Sequence, residues 1–133
     1  MEEVVVLVIR FPDREFPMTG DIGVVQLSES RLKVMESSPF VDEFGFGDTI
    51  EVATTDEGLV FERVVEKSRY RTFDYLLPYK TAESDELRSF LDGIAARGVH
   101  WERMMSGVLC VHVPDESDYD PTDEISELAS KIR

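Results

Sequence analysis

The chain is poor in nearly every residue type that announces a function by itself. It has one cysteine, Cys110, two histidines, one tryptophan and 14 basic residues against 28 acidic ones. A lone cysteine cannot close an internal disulfide, which suits a reducing compartment. The longest apolar run, Val4 to Ile9, falls far short of the roughly 20 residues that cross a bilayer. The sequence opens Met1-Glu2-Glu3, acidic where a secretory signal is basic, so the expected location is the cytoplasm, with no membrane contact. No repeat, low-complexity tract or Gly/Ser linker interrupts the 133 residues. One domain, 1–133, is therefore expected, with subregions 1–68 mainly β and 69–133 of order β-α-β-β-α.

What the chain does have is negative charge. The net is −14, distributed as −8 over residues 1–70 and −6 over residues 71–133 rather than gathered in one tail. Such a surface repels nucleic acid and anionic membranes and attracts a basic protein. Acidity also serves plain solubility, and abundant carboxylates with ten Arg against four Lys suit high salt equally well. Hydrophobic residues at 42% and charged residues at 32% belong to a chain that folds around a core.

The hydrophobic pattern reads as strands first and helices later. Val4 to Phe11 is apolar at both parities, as in a strand buried on both faces, and Pro12 stops it. A loop with Pro17 and Gly20 follows. Short strands over Val24 to Glu29 and Leu32 to Glu36 meet across Ser30-Arg31. Strands from Asp48 and Leu59 form a hairpin through Asp56-Glu57-Gly58, a three-residue loop closed by glycine. Arg71 to Leu77 puts Phe73, Tyr75 and Leu77 on one face. The period then changes: Ser84, Asp85 and Glu86 precede Leu87, Phe90, Leu91 and Ile94, with Gly98 at the stop, which predicts a helix over 84–97 docked through that stripe. His100 to Met105 and Val108 to Val113 pair across Ser106-Gly107, setting Met105 against Val108, Arg103 against Cys110 and Trp101 against His112. Met104 then joins Leu109, Val111 and Val113 on the core side. Asp120-Pro121 opens a last helix, over 120–132. The expected class is α+β: an antiparallel sheet or partial small barrel packed with a split β-α-β-β-α ferredoxin-like unit, with the N-terminal strand as a candidate for the missing fourth strand.

No constellation for catalysis, a cofactor or a metal emerges. Gly45-Phe46-Gly47 lacks a third glycine and leads into a strand, so it is a turn rather than a phosphate cradle. In the register above, His100 and Glu102 point away from Cys110 and His112, leaving two zinc ligands where a structural site needs four. The carboxylates from Asp115 to Glu124 have no glycine at the bend that a calcium loop requires. Ser106 precedes a hairpin glycine, not a helix, and Cys110 beside His112 lacks a third partner. Two features remain as candidate binding residues. Asp115, Glu116 and Asp118 begin a stretch of seven acids to Glu127 with no base among them. Lys67, Arg69 and Arg71 alternate around Tyr70, so they share a strand face that could meet an anion or simply pair with nearby glutamates.

The stretches Ser38-Pro39-Phe40, Gly47-Asp48-Thr49-Ile50-Glu51-Val52, Gly58-Leu59-Val60-Phe61 and Val64-Val65-Glu66-Lys67-Ser68 resemble an uncharacterised bacterial domain-of-unknown-function family, over about residues 38–113. That family implies no activity and assigns no residue a role. The expected function is a small acidic binding or regulatory domain, in its sharpest form an immunity-type or inhibitor protein for a basic partner. The alternative is a small enzyme using carboxylates and a histidine.

Overall fold

Five strands close into a barrel over the first half of the chain. They are β1 (Val4–Phe11), β2 (Met18–Gln26), β3 (Arg31–Val34), β4 (Thr49–Thr55) and β5 (Gly58–Glu66). This computed structural model describes residues 3–38, 40–105 and 107–132. Neighbouring strands are antiparallel until the seam, where β1 and β5 run parallel over only Ile9↔Leu59 and Arg10↔Val60. Ile9, Phe11, Ile22, Val24, Leu32, Val34, Ile50 and Val52 fill the interior, and Phe11, Phe44 and Phe61 stack there with centroids 5.5–6.0 Å apart.

Several local expectations change. β1 is not buried on both faces: Val4, Val6 and Val8 are 50%, 63% and 56% exposed, because a barrel strand has one inward face and the apolar run hides which one. β2 begins at Met18, so Gly20 is inside a strand rather than in a loop. It also ends earlier than expected, leaving residues 27–30 as the turn and Arg31 as the first residue of β3. The β4–β5 hairpin forms where expected, but Thr55 pairs with Gly58, so the loop is Asp56-Glu57 alone and Gly58, at φ 113°, opens β5.

The Gly45 to Asp48 segment is a built turn. Gly47 adopts φ 85° and donates its N–H to the Val34 carbonyl at 2.7 Å. The buried Asp48 carboxylate accepts from Gly45 N–H at 2.9 Å and from Ser68 N–H at 2.7 Å.

The chain divides by its internal packing into two units, Met1–Ser68 and Arg69–Arg133. The second contains β6 (Tyr70–Leu76), a short α1 (Tyr79–Ala82), α2 (Asp85–Ala95), β7 (His100–Met104), β8 (Val108–Pro114) and α3 (Thr122–Lys131). Its sheet has the order β6-β8-β7 with β8 central and antiparallel to both neighbours. The architecture is thus α+β and mainly antiparallel. β1 belongs to the barrel, so the N-terminal strand does not supply a fourth strand here.

Ser84 caps α2 as expected, its hydroxyl accepting from Leu87 N–H at 3.1 Å. Leu87, Leu91 and Ile94 are buried against Leu109, Val111, Val113 and Ile125, while Phe90 is only partly buried at the edge of that cluster. α3 starts after Pro121, and the Asp120 carboxylate accepts Thr122 N–H at 2.9 Å.

The β7–β8 register differs from expectation by one residue. Met104 pairs with Val108, Glu102 with Cys110 and His100 with His112. Met105 takes the left-handed conformation, φ 49°, and stays outside the ladder, lengthening the loop. Ser106, half of the expected turn, lies outside the described residues. The slip turns every β7 side chain to the other face, so Trp101 rather than Met104 joins the core.

Candidate functional site

The same slip assembles a polar cluster on the sheet face away from the core. β6 places Thr72 and Asp74 there, β8 places Cys110 and His112, and β7 places His100 and Glu102. His112, on the middle strand, is 0% exposed. Its Nδ1 lies 2.8 Å from Thr72 Oγ1 and its Nε2 lies 2.6 Å from Glu102 Oε2. A carboxylate only accepts, so the Glu102 bond places a proton on Nε2, while Nδ1 faces the Thr72 hydroxyl. Tyr70 meets His100 edge-on at 5.6 Å.

Cys110 sits beside this line, where burial first, then hydrogen bonding to Asp74 and the charges of Asp74 and Glu102, push its thiol up to about 12. A thiol held protonated is neither a nucleophile nor a ready metal ligand. Although the corrected register brings His100, Glu102, Cys110 and His112 to one face, no group of three or more His, Cys, Asp or Glu among the described residues is arranged to hold a metal.

Glu102 is the hydrogen-bond partner of His112 Nε2. Glu102→Ala is expected to cost about 1–3 kcal/mol, the penalty for a buried ring nitrogen losing its partner, and Glu102→Gln less, since its amide oxygen can accept the bond. Urea denaturation of both variants measures the difference.

The acidic loop is more ordered than its composition suggests. Arg71 sends its guanidinium to the Ser117 and Tyr119 carbonyls, at 2.5 and 3.0 Å, and lies over the Phe73 ring. Arg97 stacks on Tyr119 at 4.6 Å. Asp115 N–H donates to the Arg69 carbonyl at 2.8 Å, and Ser117 N–H to that of Pro114 at 2.9 Å. Asp115, Glu116 and Asp118 are exposed on this tied backbone, and no ion pair engages them among the described residues. Asp120 differs: its hydrogen bonds to Thr122 lower its pKa and commit it to the helix start.

The expected basic face of Lys67, Arg69 and Arg71 does not form. Lys67 and Arg69 precede β6, outside any strand, and Arg71 lies on the helix-facing side with its charge spent on the loop carbonyls. Arg71 holds the acidic loop through its carbonyls, and Lys67 and Arg69 are exposed.

A cavity of about 40 Å³ lies beside Leu87, Leu91 and Trp101, large enough for a water. Larger open hollows, about 340 and 470 Å³, lie in the first unit. The second is lined by Arg14, Glu15, Phe40, Asp42 and Glu43. Arg14 and Glu43 are bonded to one another there, Nε to Oε2 at 2.7 Å. That hydrogen bond, foremost, lowers Glu43 from 4.5 to about 2. A depressed carboxylate pKa stabilises the fold above the unfolded value, and the contribution is lost as pH falls. Glu43→Gln should therefore narrow its stability gap to the unsubstituted protein between pH 4.5 and about 2, as followed by thermal melts.

Residues 21–130 match the family described as Domain of unknown function (DUF4265). The chain belongs to the DUF4265 family. No curated protein matches it in sequence. This DUF4265 chain is similar in fold to a hypothetical protein from Neisseria gonorrhoeae known from a crystal structure. The two share 13% identity with a TM-score of 0.57, over 98% of this chain and 87% of the other. At that identity the likeness between the DUF4265 chain and its neighbour concerns fold alone.

Proposed function

We propose that this domain is a cytoplasmic binding or regulatory module that offers a preorganised acidic loop to a protein with a basic surface. The observation that carries the reading is the loop from Asp115 to Asp120, whose backbone Arg71 ties down and whose Tyr119 ring Arg97 covers, while Asp115, Glu116 and Asp118 remain exposed. Ordering before binding lowers the entropy lost on association, and unpaired exposed charges steer encounter. The net charge of −14 extends that attraction beyond the loop. An inhibitor or immunity-type role for a basic enzyme is the sharpest form of the proposal. The second unit, with order β6-β8-β7 and α2 between β6 and β7, is read as a split β-α-β-β-α unit of ferredoxin-like type.

The alternative, an enzyme built on carboxylates and a histidine, draws on the Glu102–His112–Thr72 line. Against it stands the burial of His112, with both ring nitrogens already engaged. A general base needs reach to a substrate proton.

The experiment isolates the partner from source cells and measures its kinetics with Asp115→Asn/Glu116→Gln/Asp118→Asn. Association should slow by about tenfold at low salt, with dissociation little changed and the fold intact by circular dichroism. Unchanged association, or a partner acidic at the contact, would overturn the reading.

A further inference from the structure

The barrel seam leaves a strand edge open. β5 turns back into β4 at Asp56-Glu57, and Arg10 holds that turn through the Glu57 carbonyl at 3.3 Å and carboxylate at 2.9 Å. The parallel ladder therefore starts at Ile9, and Val4 to Val8 pair with β2 on one side while no strand among the described residues lies on the other. In an antiparallel pair, alternate residues direct their N–H and C=O away from the partner, so the outward backbone groups of this stretch meet no strand among the described residues. It carries none of the charged residues or prolines that usually blunt an open edge.

The outward side chains of the same stretch are Val4, Val6 and Val8, all at least 50% exposed. Acids rim them. Asp21 is the cross-strand partner of Val8 and is exposed. Glu36 lies over Gly23, the partner of Val6, so closely that a Cβ there would come within 3.0 Å of Glu36 Cβ. Glu3, also exposed, precedes the strand.

We infer that Val4–Val8 is a strand-addition site for an extended segment of a basic protein, with Lys or Arg on the valine face, their stems along Val4, Val6 and Val8 and their charges toward the acidic rim, and apolar residues on the opposite face. Backbone pairing would hold the segment, and its alternation would select it. A second copy would bring the same acids and the same net −14, which is why the occupant is assigned to a partner of opposite charge. This site belongs to the first unit and the acidic loop to the second, and either can fail without the other.

The probe is a short capped peptide of alternating lysine and valine, added to the full chain. The outward amides of Val4–Val8 should exchange at least about tenfold more slowly with the peptide present, and a glutamate–valine counterpart should bind at least about tenfold more weakly. Val6→Lys, at a solvent position, should abolish the protection while the melting temperature stays unchanged. A chain that dimerises without peptide and is made monomeric by Val6→Lys would reassign the edge to a second copy. No protection at Val4–Val8, or equal affinity for both peptides, would refute the site.

Discussion

Phe11→Ala is expected to destabilise the barrel by about 3–5 kcal/mol, a large share of the 5–15 kcal/mol typical of a domain. Phe11 is 2% exposed and packs against Phe44 and Phe61, so its loss removes both buried area and two aromatic contacts. Arg14 also lies over its ring, at 5.2 Å from the centroid. Removing that ring should weaken the hold on Arg14 and Glu43. Chemical denaturation, read through probes within residues 3–68, measures the effect.

Leu91→Ala should cost about 2–5 kcal/mol, and Phe90→Ala less, despite the larger side chain that it removes. The order follows from burial: Leu91 is 1% exposed between α2 and the sheet, whereas Phe90 only borders the cluster. Helical spacing puts both residues on the apolar stripe, yet the centre of a stripe is buried more deeply than its edge. Equal losses at the two positions would place Phe90 in the core after all.

Local chemistry makes α2 and the β4–β5 hairpin legible in the sequence. Ser84, the stripe from Leu87 to Ile94 and Gly98 act over a few residues, as do Asp56, Glu57 and Gly58. Register was not readable, because it depended on Met105 adopting a left-handed conformation that its residue type does not announce. With register went the candidate site: only the observed pairing sets Glu102 beside His112. The exposed side of β1 was hidden by valines at both parities. The acidic loop was visible as composition, while its order comes from Arg71, 46 residues before Ser117. Alternation assigned Arg71 to a basic face that the chain breaks at Lys67 and Arg69.

Electrostatic capture by the acidic loop is tested most directly by the association rate of the purified partner as salt is raised. The Debye length shrinks from about 10 Å at 0.1 M to 3 Å at 1 M, which removes long-range steering but leaves short contacts. The rate should fall steeply across that range for the unsubstituted chain and shallowly for Asp115→Asn/Glu116→Gln/Asp118→Asn, while dissociation changes little in either. A rate indifferent to salt, or one with the same slope for both proteins, would contradict the role given to the loop.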